Sequence, residues 1–225
     1  MGKALVIAVV VAAMGPTLVA EGVGFGGGGF LRGVLLLELE ELNAALGDAG
    51  FPSLAGGLTL AGGSGIGGIT GELAFGGMGF GGSLVARQGD RSVTLEVGYG
   101  AFVMEYPLAL GRRAVLSCGV GIGGGGATLT LRFRKASDFG DALASPTVTQ
   151  LETGFFGLLP YLRLQVAPLE WLLLDGWAGY LLTLPGPWKE GDQELEVTPT
   201  LSGALLALEL VFGGMEPEVV QTPSY

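Results

Sequence analysis

The stretch AVLSCGVGIGGGGATLTL, residues 114 to 131, is the longest uncharged run beyond the N-terminus with the length of a membrane helix, yet six of its eighteen residues are glycine. Each glycine costs a helix interior about 1 kcal/mol relative to alanine, so this segment does not read as a spanning helix. Elsewhere proline or charge interrupts the apolar runs early, at Pro160 and Arg163, at Asp175 and at Glu209. Glycine fills 44 of the 225 positions, while 49% of residues are hydrophobic and only 14% charged. The glycines follow no three-residue period, which excludes collagen, and the chain is too apolar for simple disorder. What remains is a membrane protein that crosses with strands, or an unusually apolar β-assembly.

Strand-length apolar segments do recur, separated by turn residues. About eight are expected, near 22–39, 57–70, 72–86, 91–106, 113–133, 152–166, 169–183 and 200–212. The links alternate. Those at 40–56, 134–151 and 184–199 are long, whereas Gly71, 107–112 and Ala167-Pro168 are short. RQGD at 87–90 is the one short link among the long set. Within the first long link, Leu42, Ala45 and Leu46 fall on one side of a short helical turn over 40–48. Two glycine tetrads, at Gly26–Gly29 and Gly123–Gly126, hint at a four-plus-four strand repeat.

Residues 1 to 20, MGKALVIAVVVAAMGPTLVA, have the layout of a secretory signal: Lys3, an apolar run broken by Gly15-Pro16, and Ala20 ahead of Glu21. Export predicts a mature domain over 21–212, followed by a C-terminal tail at 213–225. Cys118 is the single cysteine, so no intrachain disulfide is possible. The formal net charge of −10 repels nucleic acid.

Side chains alternate between the faces of a strand. In 158–166, Leu158, Pro160, Leu162, Leu164 and Val166 oppose Arg163 and Gln165. In 170–182, Leu172, Leu174, Ala178, Tyr180 and Leu182 oppose Asp175. In 202–212, Ala204, Leu206, Leu208, Leu210 and Phe212 oppose Glu209. In 93–103, Val93, Leu95, Val97, Tyr99 and Val103 oppose Thr94, Glu96, Gly98 and Gly100. Each apolar set is assigned to lipid. In 113–133 the apolar parity switches at Gly123–Gly126, and one extra residue there, as in a β-bulge, would restore a single lipid face. The inward set then contains a structural charge network of Glu96, Arg132, Arg163, Asp175 and Glu209, in which carboxylates and guanidinium groups must pair. Tyr106, Phe133, Phe155, Phe156, Tyr180 and Phe212 near strand ends suit interfacial girdles or core filling. An interior of about eight strands holds side chains and no wide pore.

Catalytic chemistry finds little footing. The chain has no histidine, which removes Ser-His-Asp and Cys-His units and His-based metal sites. GxGxxG spacing starts at Gly24, Gly63 and Gly121, but none of the three follows a strand and opens a helix. Glu190, Asp192, Glu194 and Glu196 alternate in an acidic stretch that reads as a solvated charge run. Beside it, Trp188 and Lys189 read as an exposed loop pair. No catalytic, cofactor or metal site is expected.

The chain resembles the small eight-stranded bacterial outer-membrane barrels in its signal-like N-terminus, about eight strands, long odd-numbered links and Phe212 closing the last strand. The resemblance is architectural and spans residues 22 to 212. It implies a closed antiparallel up-and-down transmembrane β-barrel in the cell outer membrane. The expected partners are membrane lipids and an envelope or extracellular molecule met through the long loops, and the role is non-enzymatic. The alternative is a secreted glycine-rich β-protein that forms a water-facing multimer.

Overall fold

The computed structural model describes residues 22–133, 138, 148–195 and 199–217. The signal-like segment 1–20, most of the 134–151 link and the last eight residues of the tail lie outside the described residues. Strands β1 (Val23–Leu37), β2 (Leu58–Ile69), β3 (Ala74–Gln88), β4 (Arg91–Gly111), β5 (Ala114–Arg132), β6 (Val148–Leu169) and β7 (Leu172–Pro185) follow one another. A two-residue ribbon, β8 (Lys189–Glu190) and β9 (Gln193–Glu194), comes next, and β10 (Gly203–Pro217) is last. One helix, α1 (Glu40–Asp48), stands in the first long link.

Every long strand pairs antiparallel with its neighbours in the chain, β7 pairs β10, and β10 pairs β1. β5 also pairs β6, so the eight long strands form a closed ring. This is the up-and-down barrel the residues imply, with the short helix where it is expected. Its two ends differ. The turns at 70–73, 112–113 and 170–171 share one end with the start of β1 and the finish of β10, Val23 against Pro217. The 38–57 link, the facing ends of β5 at Arg132 and β6 at Val148, and the segments 186–195 and 199–202 lie at the other end, together with the tight Gly89-Asp90 hairpin. That hairpin needs only two residues because Gly89 takes a φ of 59° that suits it. Among the described residues no helix is long and apolar enough to cross a membrane.

The short links expected at 107–112 and Ala167-Pro168 lie almost wholly within β4 and β6, the chain turning instead at 112–113 and 170–171, and three further details depart from the sequence reading. Residues Gly123–Gly126 carry no bulge: the ladder to β4 runs on from Ala101–Gly123 to Gly98–Gly126, and that to β6 from Gly123–Gly157 to Gly126–Gly154. Ala127, Leu129 and Leu131 therefore share the inner face with Ser117 and Gly121. β4 is inverted, since Val93, Leu95, Val97, Tyr99 and Val103 are buried inside while Gly98, Gly100 and Phe102 face out. An alternating apolar run marks a buried face without saying whether lipid or protein covers it, and in β4 protein does. Finally, β10 continues past Phe212 to Pro217, because Gly213 and Gly214 pair with Gly27 and Gly26 instead of ending the strand.

Candidate functional site: a filled interior and its loop-end mouth

The polar groups of the interior gather towards the turn end. β6 projects Arg163 inward, where its guanidinium spans two carboxylates. Nη1 donates to Asp175 Oδ2 at 2.7 Å, Nε donates to Glu105 Oε2 at 3.2 Å, and Nη2 donates to Glu105 Oε1. Glu105 also accepts from the Tyr161 hydroxyl at 3.0 Å and from Ser117 at 3.1 Å. Gln165 Nε2 donates to Asp175 Oδ2 at 3.0 Å, while Gln165 Oε1 and Asp175 Oδ1 have no partner. The guanidinium carbon lies 5.5 Å from the Trp177 ring centroid and 5.6 Å from that of Phe25, so aromatic faces close round the ion cluster.

Glu209 forms a second node. It accepts from the Trp177 indole at 3.0 Å, from the Ser64 hydroxyl at 2.9 Å and from the Ser64 backbone N–H at 2.7 Å. The β1–β2 ladder opens to allow this, with pairing lost between Gly28–Gly65 and Leu31–Gly62. Across β10 and β7, Glu209 stands opposite Asp175. Glu105 and Asp175 thus share the Arg163 guanidinium, Glu209 is held by Ser64 and Trp177 without it, and hydrogen bonds from Ser117, Tyr161 and Gln165 satisfy most of the remaining acceptors, as buried charge requires.

Of the five residues expected in this network, Arg163, Asp175 and Glu209 meet inside. Glu96 and Arg132 do not: both are exposed on the outer face, near the loop end of β4 and β5. Their misplacement follows from the inverted β4 and the bulge that β5 lacks. The same inversion hid Glu105, which shares its parity with Val103 and binds Arg163 from the strand wrongly turned towards lipid. In the β4–β5 register Glu105 pairs with Gly119 and lies diagonal to Ser117 on the inner face, a relation that no local pattern in the sequence encodes.

Towards the loop end the interior becomes apolar. Val93, Leu95, Val97, Ala127 and Leu129 meet Leu39, Leu42, Leu46, Phe51 and Leu54 from the α1 segment in one buried cluster. Asn43 anchors that segment, donating to the Leu54 carbonyl at 2.9 Å and accepting from its N–H at 2.8 Å. Arg91 on β4 donates to the carbonyls of Ala49, at 3.2 Å, and Gly50, at 2.6 Å, and Phe51 meets the Phe133 ring edge-on at 4.9 Å. α1 therefore stoppers the mouth. Between α1, the ends of β5 and β6, and Trp188, Leu195 and Pro199 lies a cavity of about 320 Å³, lined also by Leu42, Ala45, Leu46, Ala49, Leu129, Leu131 and Leu151. Trp188 is 2% exposed and its indole N–H has no partner. The exposed Trp188–Lys189 pair expected from sequence is thus corrected: the tryptophan is buried and only the lysine is exposed, in an ion pair with Glu194 at 3.0 Å.

The outer wall has two sectors. On β6, β7 and β10 it is apolar: Leu158, Leu164, Val166, Leu174, Leu206, Leu208, Leu210 and Phe212 are exposed, Leu208 by 73%. From β1 to β5 outward glycines, in register as Gly26–Gly67, Gly63–Gly79, Gly81–Gly98 and Gly98–Gly126, are interspersed with exposed Phe30, Phe75, Phe102 and Ile122. Arg32, paired with Leu208 and Ala61, is an outward charge amid this surface. Of the aromatics considered for girdles, Phe133, Phe156 and Phe212 are exposed, whereas Phe155 is buried and stacks on Tyr99. Among the described residues no group of acidic or cysteine side chains is arranged to hold a metal ion.

No protein-family model and no curated protein sequence matches the chain. Two solved structures are similar in outline. One is Ail, the attachment invasion locus protein of Yersinia pestis, in complex with the heparin analogue sucrose octasulfate, at 10% identity over 86% of this chain and 99% of that chain, with a TM-score of 0.42. The other is Ail in a separate crystal structure, at 11% identity over 88% of this chain and 99% of that chain, with a TM-score of 0.35.

Proposed function

We propose that this chain is an outer-membrane β-barrel that serves, without enzymatic chemistry, as a structural or interaction protein presenting its loop end to the outside. The observation that carries this reading is the outer wall of β6, β7 and β10, where leucine after leucine is exposed while Arg163, Asp175 and Glu209 are buried. A water-soluble monomer would bear such a surface at a large cost, and a bilayer covers it. The filled interior argues for a closed wall instead of a solute channel. At the loop end Glu38, Glu40, Glu41, Asp48, Asp90, Glu152, Glu190, Asp192 and Glu194 outnumber Arg87, Arg91, Arg132 and Lys189 among the described residues. A rim of that sign suits a neutral or basic partner better than a polyanion.

Membrane fractionation and heat-dependent gel mobility test the reading. The protein should sediment with outer membranes and migrate faster in denaturing gel when left unheated. Quantitative recovery in a detergent-free soluble fraction would instead support the secreted multimer.

A further inference from the structure

We propose that the cavity beneath α1 is a binding site for a small, neutral, apolar molecule carrying one hydrogen-bond acceptor, of the class of medium-length alkyl ketones and esters. Two observations point to such a ligand. The cavity, about 320 Å³, is of ligand size. Among the described residues that line it, Trp188 alone carries a polar side-chain atom, and its indole N–H is buried and unpartnered. Buried indole donors ordinarily have an acceptor, and one left unpaired is unfavourable. Water is a poor occupant because it needs two or more polar partners, whereas Leu42, Leu46, Leu129, Leu131 and Leu151 supply none from their side chains. A fatty-acid anion is equally poor, since among the described residues no cationic side chain lines the cavity to neutralise its carboxylate. A carbonyl oxygen on an alkyl chain meets both demands: it accepts from Trp188 and leaves its hydrocarbon among the leucines.

The test uses the full chain in phospholipid nanodiscs, with ¹⁵N-labelled tryptophan, titrated with 2-decanone and, separately, with decane. The chain has three tryptophans, so Trp188→Phe assigns the relevant indole signal. The ketone should move the Trp188 indole proton downfield saturably, and decane should not. Trp188→Phe should weaken saturable ketone binding roughly tenfold, the scale of one lost hydrogen bond. Leu131→Phe, which fills the cavity from a partly buried position, should abolish the shift while the Trp188 signal persists. An indole signal unmoved at high ketone concentration, or moved equally in Leu131→Phe, overturns the proposal. So does a nuclear Overhauser contact in the ligand-free protein between the Trp188 indole proton and residues 134–147, which would make the chain its own occupant.

Discussion

Arg163 is the residue on which the interior polar cluster depends, because it is the one cation shared by Glu105 and Asp175. Truncating one member of a buried ion cluster strands the others, at a cost of about 3–5 kcal/mol. Arg163→Met should therefore lower the unfolding free energy of the vesicle-refolded barrel by about 3–5 kcal/mol, read from urea titration. Adding Glu105→Gln to Arg163→Met should restore part of the loss by removing one stranded charge. The inward glycines belong to the same scale. A Cβ on Gly157 would stand 2.5 Å from the Tyr99 ring, and one on Gly119 would stand 2.6 Å from that of Tyr161. These glycines make room for rings whose hydroxyls reach the Gly157 carbonyl and Glu105. Small residues facing large ones across a narrow interior is how a barrel of this girth fills without voids.

Among the elements, α1 is held by few polar ties, and Asn43 makes two of them. Asn43→Ala should destabilise the α1 segment locally by about 1–2 kcal/mol, seen as faster hydrogen exchange over 40–54 with the strands unchanged. The strands themselves were legible where chemistry distinguished the faces. β6, β7 and β10 each place leucines against a single charged position, and their outward sets match the sequence reading residue for residue. β4 was not legible in this way: Val93, Leu95 and Val97 alternate with Thr94, Glu96 and Gly98, a pattern equally suited to facing lipid or to facing α1 and β5. What decides is the non-local contact with Leu42, Leu46 and Leu129, and no local pattern encodes it. The tetrad at Gly123–Gly126 misled for a related reason, since glycine has no side chain to report its face. Trp188 was misjudged because Pro187 and Gly186 signal a link, and a link can still lay one ring into a core.

For the whole molecule, the apolar outer wall and filled interior yield separate expectations. Leu210→Lys places a charge between Phe30 and Leu174 on the outer face and should cost about 2–4 kcal/mol in a bilayer if the site lies near its midplane. Its effect is read from the unfolding midpoint in vesicles, and a soluble protein would tolerate it at no cost. In planar bilayers the wild-type barrel should show no solute-sized conductance steps, because the Arg163 cluster and the α1 stopper occupy the bore in series. The seam where β1 meets β10 carries a final consequence. Its fifteen matched positions, Val23 with Pro217 through Leu37 with Gly203, join the first-made segment of the wall to the last. Until that closing segment is in place, both margins of the sheet hold unmet amide and carbonyl groups that hydrocarbon cannot solvate. A chain stopped short of residue 203 has no stable place in a bilayer, so assembly of this molecule should be an all-or-none event timed by its C-terminal strand.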